Sequence, residues 1–527
     1  MPTAAATPPQ EREPALEAVG IRRGGWAWRL LEPRDLALWS AAGASLLVWL
    51  WLMVWYWRGG LPYDATSGVW TALADDVAHG TLYRPVHSSL GYGGTRYMPL
   101  FFVLHGLLMR AGAPAVAAGL TLTIAGLVLF LSGLYGALRR MGVARQRAAA
   151  TALLLPGCIS VQLLTLATRG DLLAAGLLLW GLSALLSRRL GAAALFWTLA
   201  VATKLMAIWA PIAAACWLLL RAARSGDAVA SDRAERRRAG RLLALTGAGV
   251  AGVLLATLVA SNGRVLAAFA AAADGGATWR YALAAPWWLL YAARQDPFFL
   301  GLAAAAAVMA GRRIRRVGWD LPLVWAAGAT LSTLLIFASP GADSNHLLDV
   351  LAAALVLLAL EAPAREAAWI AGVFAMAQLA SQLPDAPATR HYLQEHGRPT
   401  VQRVERFRRR LVLAGRGGPV LSENPLLPIL WGERPEVADA FALRLLARRD
   451  ARIGAELEGK LREHRYRGVL LVDWAGELTP ALERGIRADE PADRGRLDFP
   501  GHFLPAVSRH YRVTLRLPPY ILLEPRP

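Results

Sequence analysis

Of the 527 residues in this chain 55% are hydrophobic, and the mean hydropathy is +0.36. This composition excludes an ordinary soluble protein and indicates a polytopic membrane protein with room for one further domain. The formal charge of +19 would favour nucleic acid as the partner of a soluble protein. Here, however, the arginines form short clusters between apolar runs, as in the loops of membrane proteins, so no nucleic-acid partner is expected.

The first apolar run predicts the orientation of the chain. Residues 1–35 are polar and are predicted to form a flexible cytoplasmic segment. Residues 36–57 would span about 33 Å as a helix, which is enough to cross a bilayer, and no cleavage site follows, so an uncleaved anchor is expected. The positive-inside rule then predicts a cytoplasmic N-terminus and an outer loop at 58–96, because four basic residues precede the run: Arg22, Arg23, Arg29 and Arg34.

Ten further apolar runs follow, and arginine clusters fall on alternate connections between them. The sequence therefore predicts an all-α polytopic membrane bundle of about 11 transmembrane helices over residues 36–383, with these clusters in the cytoplasm. Residues 97–110 are too short for a span and are predicted to be a half-helix or re-entrant segment, although 12 or 13 spans remain an alternative. The ten runs lie near residues 113–138, 148–167, 171–187, 190–203, 205–221, 242–261, 286–310, 319–338, 347–361 and 367–382.

The composition changes after residue 384, where charged residues increase and long apolar runs end. Residues 384–527 are predicted to form a small extracytoplasmic α/β domain. Residues 398–413 have apolar side chains at helical spacing between arginines, which is typical of a helix on the membrane surface or of one packed against its own domain. The other predicted elements are strands near 418–422 and 467–473 and helices near 435–448 and 452–464.

Polar residues at the outer membrane boundary are the candidates for chemistry, because charges near the apolar slab are costly. Asp64 follows Tyr63 in the outer loop and is either a general base or the cap of a helix that runs to His79. Asp75 and Asp76 are candidate ligands of a divalent cation, or else they lie on a solvated helix face. No other cofactor is indicated.

Further candidates lie beyond this loop. Arg169 and Asp171, at the outer end of a helical hairpin, either bind substrate or pair with each other. Lys204 is one of only two lysines, and a compact cation suits a phosphate, although its side chain could simply extend to the interface. Asn345 and His346 precede a late span, where the histidine either orients an acceptor or a carboxylate or satisfies a helix start.

Arg280 lies beside an aromatic stretch that contains Trp287 and Trp288, and this stretch is either part of a substrate site or an interfacial aromatic belt. The sequence contains no Walker loop, Rossmann glycine fingerprint, zinc-protease motif or nucleophile elbow, which argues against nucleotide-driven transport and the common hydrolases. An enzyme on the outer face has no supply of nucleotide-activated sugars. A sugar donor there must therefore be carried on lipid.

Taken together, these motifs resemble the C-fold (GT-C) glycosyltransferases, which use polyprenyl-phosphate sugars, and among them the bacterial mannosyltransferase-like members. The resemblance covers about residues 36–382, and the tail from Val420 is similar to an outer domain of some bacterial members. Met98 and Leu205 stand where the family commonly has proline. The motifs are Asp64 after the first span, Tyr97-Met98-Pro99-Leu100, Gly170-Asp171, Ala202-Thr203-Lys204 and Asn345-His346-Leu347-Leu348-Asp349.

The resemblance implies transfer of a sugar, with inversion, from a polyprenyl-phosphate donor to an acceptor hydroxyl on the outer face of the cytoplasmic membrane. The acceptor would be a glycolipid, a polysaccharide or a protein. Asp64 would be the general base, and Lys204, Arg169 and Arg280 would bind the donor phosphate. A transporter or lipid flippase, or a scaffold whose outer domain carries the function, are the alternatives. The substrate-binding residues would be Tyr63, Arg96, Tyr97, Asp171, Asn345 and His346.

Overall fold

The computed structural model of the chain describes most of the membrane domain and most of the C-terminal domain. The predicted last span at 367–382, apart from residue 372, and Tyr63 lie outside the described residues, as does nearly all of the predicted N-terminal segment. The described residues are 33–57, 60–62, 64–224, 229–272, 278–294, 296–339, 342–363, 366, 372, 401–473, 478–484, 499 and 503–527.

The described part of the membrane domain is helical, apart from a two-stranded hairpin in the outer loop formed by β1 (His87–Ser88) and β2 (Gly91–Tyr92). Short 3-10 turns lie at Leu155–Gly157, Leu205–Ile208 and Ser344–Leu347. The helices are α1 (Pro33–Trp57), α2 (Ala65–Ala78), α3 (Pro99–Arg110), α4 (Ala115–Arg140), α5 (Arg145–Ala152), α6 (Ile159–Thr165), α7 (Asp171–Leu186), α8 (Leu190–Thr203), α9 (Trp209–Arg224), α10 (Val229–Ala260), α11 (Arg264–Ala272), α12 (Trp279–Arg294), α13 (Pro297–Val317), α14 (Leu321–Phe337) and α15 (Leu348–Glu361).

The length and composition of these helices identify a multi-pass membrane protein. Within the described residues six helices are long and apolar enough to cross a membrane, or seven if one bent pair counts as a span. Four shorter apolar helices accompany them: α3, α7, α8 and α14. The predicted count of about 11 spans is therefore not confirmed. The six are Leu36–Val54, Ala115–Arg140, Leu205–Arg224, Asp232–Ala260, Pro297–Val317 and Ser344–Glu361.

Two runs that were predicted as single spans are broken by proline. Within the predicted run 148–167, the helix pair around the turn at Leu155–Gly157 is bent by 72°. The predicted run 286–310 is divided between α12 and α13 at Pro297. Proline lacks an N–H and disfavours helical backbone in the residue before it, so both breaks have the same cause. Hydropathy alone does not register either break.

The segment predicted as a half-helix is α3, whose 12 residues extend about 18 Å, well short of the roughly 30 Å of a bilayer core. Pro99 starts this helix, and a turn at Gly112 with φ +96° leads directly into α4. The rings of Trp70 on α2 and Phe101 on α3 meet edge to face at 5.3 Å. Packing against α2 therefore covers one face of this short helix.

The helix α7 lies at the centre of the membrane bundle, where almost every residue from Asp171 to Leu185 is buried. It packs tightly against α4 because both helices carry glycine at the crossing. A Cβ on Gly126 would lie 2.6 Å from the backbone nitrogen of Leu173, and a Cβ on Gly176 would lie 2.8 Å from the Cβ of Leu129. Small residues allow this close approach of membrane helices. The central helix is thereby fixed in position, and its first residue is Asp171.

The C-terminal part is an α/β domain, as predicted, built on a four-stranded sheet in the order β3-β4-β6-β5. The strands β3 and β4 are parallel, while β6 is antiparallel to both β4 and β5. The predicted strands and helices are present within a few residues, but β5, β6 and the helix before them were not predicted. The elements are α16 (Val401–Leu413), β3 (Val420–Ser422), α17 (Leu426–Leu430), α18 (Ala440–Arg449), α19 (Ala451–Arg462), β4 (Gly468–Val472), α20 (Leu478–Arg484), α21 (Phe503–His510), β5 (Tyr511–Leu517) and β6 (Tyr520–Pro525).

Of the two interpretations of residues 398–413, packing against the helix's own domain is confirmed. Val404, Phe407 and Leu411 on α16 are buried and join one apolar cluster with Leu470 of β4 and Leu522 of β6. These apolar residues recur at three- and four-residue spacing and form one face of the helix. The sheet covers that face, so the face is not available to a membrane.

The C-terminal domain is joined to the first outer loop by backbone hydrogen bonds. The Tyr92 N–H donates to the carbonyl oxygen of Glu436 at 2.7 Å, and the Ala438 N–H donates to the carbonyl oxygen of Tyr92 at 3.0 Å. Gly91, with φ +89°, makes this approach possible, because a Cβ there would lie 2.0 Å from the Glu436 oxygen. The backbone of the outer loop is therefore hydrogen-bonded directly to the C-terminal domain.

Candidate active site

Asp64 caps α2, as one of its two predicted interpretations requires. One carboxylate oxygen accepts hydrogen bonds from the Ser67 N–H at 2.9 Å and from the Ser67 hydroxyl. The Ser67 hydroxyl in turn accepts the Thr168 N–H at 2.9 Å, which links the outer loop to the turn before α7. The cap places a carboxylate that is only 9% exposed at one end of the bundle.

One interpretation of Arg169 and Asp171 predicted that they pair with each other. In the structure each has a different partner. The Arg169 guanidinium forms an ion pair with the second oxygen of Asp64. The carboxylate of Asp171 accepts instead from the Lys204 ammonium at 2.5 Å. Two ion pairs therefore form next to Gly170, one between Asp64 and Arg169 and the other between Asp171 and Lys204. Each pair joins segments that are distant in sequence.

Asp171 also receives a hydrogen bond from the late outer loop. The Asn345 amide donates to the same Asp171 oxygen as Lys204 does, at 2.8 Å. Lys204 has extended backbone, φ −148° and ψ 111°, because it separates α8 from the following 3-10 turn. Its side chain is 26% exposed. Asp171, Lys204 and Asn345 lie in three segments that the sequence analysis identified separately. Their side chains meet at the carboxylate of Asp171.

A cavity opens beside this cluster. Two polar residues that line it, His346 and Asp349, follow Asn345 in the chain. Trp209 donates from its indole nitrogen to a carboxylate oxygen of Asp349 at 2.9 Å, and the Nδ1 of His346 is buried without a hydrogen-bond partner among the described residues. The full lining comprises Asp171, Ala174, Ala175, Leu178, Lys204, Met206, Ala207, Ile336, Asn345, His346, Leu348 and Asp349.

The sequence analysis quoted Asp349 within a motif but gave it no role, and it missed Trp209 altogether. Asp349 is an acid inside an apolar run, and a charge in a membrane segment is the signal that marks a functional position. Trp209 had no such signal. A tryptophan next to a membrane boundary is common as an interfacial anchor, and only the folded chain shows that its N–H donates to Asp349.

Tyr97 lies where the outer loop, the α7 hairpin and the C-terminal domain approach one another. Its ring is 4.4 Å from that of Trp70 between centroids, and its carbonyl oxygen accepts the Tyr83 hydroxyl at 2.8 Å. Burial is the main reason that the pKa of Tyr97 is raised to about 12, and the charge of Asp439 raises it further. The opposing charges of Arg96 and Arg169 lower this pKa, so both arginines act on the same ring.

Three of the four predicted cations are placed away from the cavity lining. Arg280 is exposed on α12, and its guanidinium carbon lies 5.6 Å from the ring centroid of the neighbouring Trp279. Arg96 is exposed in the outer loop, where its guanidinium lies over the ring of Phe441 in the C-terminal domain. Asp64 and Arg169 also lie outside the cavity lining, beside the Asp171 cluster.

The prediction that Asp75 and Asp76 lie on a solvated face is wrong, because both are buried. Arg84 donates from two nitrogens to the two carboxylate oxygens of Asp76, each at 2.7 Å, so Asp76 has a structural role. Burial is the main cause that raises the pKa of Asp75, against the charge of His79, which lowers it. Among the described residues no group of three or more His, Cys, Asp or Glu side chains is arranged to hold a metal ion.

Comparison with known proteins shows the fold. No family model matches the chain, and no curated protein matches its sequence. The crystal structure of ArnT from Cupriavidus metallidurans bound to undecaprenyl phosphate superposes with a TM-score of 0.59 over 92% of this chain and 97% of that one, at 13% sequence identity. The chain has the fold of ArnT. This agrees with the GT-C fold that the sequence motifs imply.

Two further solved structures are similar at a lower level. An Archaeoglobus fulgidus oligosaccharyltransferase in complex with zinc and sulfate gives a TM-score of 0.49 at 15% identity, over 82% of this chain and 67% of that one. The oligosaccharyltransferase AglB from the same organism, with an inhibitory peptide and a dolichol-phosphate, gives 0.47 at 13% identity, over 83% of this chain and 69% of that one.

Proposed function

We propose that this protein is a membrane glycosyltransferase that moves a sugar from a polyprenyl-phosphate donor to an acceptor hydroxyl on the outer face of the cytoplasmic membrane, with inversion at the anomeric carbon. The observation that carries the proposal is the cavity beside Lys204, which has a charged mouth and an apolar wall. A polyprenyl phosphate has the same two parts, an anionic head and a hydrocarbon chain. ArnT, whose fold the chain shares, was crystallised with undecaprenyl phosphate.

The wall of the cavity supports a lipid ligand. Ala174, Ala175 and Leu178 lie on one face of α7, one and two turns from Asp171 at the mouth. Ala174 and Ala175 present small apolar side chains to the cavity along the helix. The donor phosphate would then lie at the mouth, beside the partly exposed Lys204 ammonium.

Lys204 is the first candidate for the donor phosphate. As the anomeric C–O bond breaks, the electron pair passes to the phosphate oxygen, so negative charge grows there. A cation that is already in place stabilises this charge more in the transition state than in the ground state. Asp171 and Asn345 hold the lysine and its loop in place. Arg169 and Arg280 are the other candidates for this role.

We infer that Asp64 is the general base and that donor binding releases it from Arg169. In the structure one oxygen of Asp64 accepts hydrogen bonds from Ser67 and the other is paired with Arg169. A donor phosphate next to Lys204 would attract Arg169 as well. Asp64 would then accept the proton of the acceptor hydroxyl, while the hydroxyl oxygen attacks the anomeric carbon and the lipid phosphate leaves.

The arrangement of basic residues supports an outer location of this site. The helices α7 and α15 begin at Asp171 and beside His346, whereas their other ends lie next to arginines. Glu361, at the end of α15, forms ion pairs with Arg313 and Arg316. By the positive-inside rule the arginine-rich ends are cytoplasmic, so the site, the C-terminal domain and the acceptor would be extracytoplasmic.

The decisive experiment is a transfer assay with the purified full-length protein in proteoliposomes. A panel of polyprenyl-phosphate sugars is supplied with envelope glycolipid as acceptor, and products are measured by mass spectrometry. We expect Asp64→Asn to lower the rate about 10²–10⁴-fold while the protein stays folded, because Asn retains the cap but accepts no proton. Its thermal midpoint should fall, because Arg169 loses its carboxylate partner. Asp343→Asn, which alters another outer cap, is the matched control. Unchanged turnover by the Asp64 variant would remove the base, and failure of the wild type on the whole panel would remove the function.

A further inference from the structure

The helix α10 is longer than a membrane is thick. It has 32 residues and is about 48 Å long, whereas the hydrocarbon core of a bilayer measures about 30 Å. Its apolar part begins at Leu242, so the extra length lies in the basic segment before that residue. This end of α10 is remote from the candidate active site, because the preceding helix α9 begins at Trp209 beside Asp349 and runs away from it to Arg224.

The basic segment of α10 contains two kinds of arginine. Arg236 pairs with Asp232 at 2.7 Å, and Arg238 pairs with Glu235 at 3.0 Å. The remaining three are exposed, and no carboxylate among the described residues forms an ion pair with them. We call these three the arginine row: Arg233, Arg237 and Arg241.

The arginine row continues one exposed side of α10. At 3.6 residues per turn, its three members fall within about 80° of one another around the helix axis. The same arc contains Ala244, Ala248, Leu255 and Val259, and all four are exposed. Leu255 and Val259 are 61% and 68% exposed, whereas Leu242 lies outside the arc and is buried. In a membrane this apolar stripe faces lipid, so the headgroup of a lipid that packs on it lies beside the row.

The charges of the row favour an anionic headgroup. Like charges four residues apart on a helix repel each other, so the row destabilises α10 unless an anion lies beside it. Consecutive members are separated by about 6 Å along the axis, and each guanidinium can donate two parallel hydrogen bonds to phosphate oxygens. A zwitterionic headgroup brings a cation of its own to the same place, whereas an anionic headgroup brings none.

We propose that Arg233, Arg237 and Arg241 form a docking surface for anionic phospholipids in the leaflet remote from the candidate active site. The partner is a lipid and not a free phosphate, because the row and the exposed apolar stripe lie on the same side of one helix. The stripe contacts the acyl chains while the row binds the headgroup phosphates. This surface is separate from the proposed sugar transfer and does not depend on it.

The test measures lipid preference beside the row in a bilayer. A bimane fluorophore is attached to the full-length Ala244→Cys variant, in which Cys216→Ala removes the exposed native cysteine and the buried Cys158 is kept. The variant is reconstituted in phosphatidylcholine vesicles. Quenching by brominated phosphatidylglycerol and by brominated phosphatidylcholine gives the ratio of their association constants at this position. We expect a ratio of about ten, because one basic residue near a membrane surface changes the affinity for anionic lipid about fivefold.

Two neighbouring arginines provide a matched pair of variants. Arg237→Gln should lower the ratio about fivefold, and replacement of the whole row by Gln should bring it to about one. Arg236→Gln removes the same charge from the same segment, but from an arginine that already pairs with Asp232, and should change the ratio less than about twofold. Thermal midpoints of the variants confirm that they are folded.

Three results would overturn the docking surface. The first is equal quenching by the two lipids in the protein with the intact row. The second is an equal loss of preference in Arg236→Gln and Arg237→Gln, because only the net charge of the segment would then matter. The third is loss of the preference when glycerol phosphate is added on both sides of the bilayer at constant ionic strength, because the row would then bind free phosphate. No sugar is transferred in this experiment, so failure of the proposed glycosyltransferase activity would leave its result unchanged.

Discussion

At the scale of single residues, the outer end of the membrane bundle is a set of charges that neutralise one another. Asp171 accepts Lys204 and Asn345 on one oxygen, and Asp64 accepts Ser67 while it faces Arg169. Two cations and two carboxylates give no net charge. The proposed anionic donor would therefore compete with a carboxylate for each cation.

We predict that Lys204→Gln lowers kcat/KM for the lipid-phosphate donor about 10–100-fold, because a charge-assisted hydrogen bond to phosphate is lost. Lys204→Arg should retain part of the activity, since the positive charge remains but a planar guanidinium replaces the compact ammonium group. Steady-state kinetics in proteoliposomes measures both. Lys460→Gln alters the only other lysine, which pairs with Glu436 and Glu456 in the C-terminal domain, and serves as control. Equal kcat/KM for the Lys204→Gln variant and the wild type would remove Lys204 from the donor site.

The residue types at the site were predictable from the sequence, and their pairing was not. Asp64, Lys204 and Asp171 stand out because charges at a membrane boundary are costly. Which cation faces which carboxylate depends on the rotation and depth of helices that lie far apart in the chain. Arg169 is two residues from Asp171, yet its ion pair is with Asp64, more than a hundred residues away.

At the scale of elements, hydrogen bonds to the carboxylate of Asp296 connect the break between α12 and α13 to the bend before α6. Asp296 is buried, and its two oxygens accept the Phe299 N–H at 3.0 Å and the Ser160 N–H at 3.1 Å. Each of these N–H groups starts a helix and has no partner within it. The prolines at both breaks are present in the sequence, but each apolar run is continuous across its proline, so the hydropathy predicts a single span. No local pattern indicated that Asp296 accepts hydrogen bonds from two helices.

We predict that Asp296→Ala lowers the free energy of unfolding by about 1–3 kcal/mol, because it leaves two helix N-termini without an acceptor. Asp296→Asn keeps one acceptor oxygen and should lose about half as much. Thermal midpoints in detergent, followed by far-ultraviolet circular dichroism, give the ranking of wild type, Asn and Ala. If the Ala variant were as stable as the wild type, these caps would not hold the two breaks together.

At the scale of the whole molecule, the outer loop and the C-terminal domain form one unit. Arg84 is 1% exposed and donates to Asp76 on α2 and, at 2.7 Å, to the carbonyl oxygen of Pro435. The sequence indicated an outer α/β domain but not this junction. Its contacts join residues about 350 positions apart, and Arg84 itself stands in a loop without any motif. The strands β5 and β6 were not predicted for a similar reason. They are recognised chiefly by the pairing of β6 with β4 and with β5.

We predict that Arg84→Met destabilises the protein by up to about 3–5 kcal/mol, because it leaves the buried Asp76 carboxylate with only the longer contact to Arg434 at 3.4 Å. The matched control is Arg452→Met, which removes an exposed, solvent-screened partner of Asp450 and should leave the thermal midpoint nearly unchanged. Limited proteolysis of the purified protein measures release of the C-terminal domain alongside thermal unfolding. Arg84→Met with Asp76→Asn should recover part of the loss. Equal stability of the two single variants would show that the buried pair does not support the junction.

We expect the stability of the same junction to depend on pH through Glu456. Burial alone would raise the pKa of Glu456, but hydrogen bonds and charges of Lys460 and His87 outweigh it and lower this pKa below its ordinary value of 4.5. A carboxyl group with a lower pKa in the folded state stabilises that state above its unfolded pKa, and the stabilisation is lost as the pH falls through the folded value. We therefore expect the thermal midpoint to fall on acidification below about pH 4.5. Glu456→Gln should flatten this part of the profile, and an identical acid slope in the variant and the wild type would assign the dependence to other carboxylates.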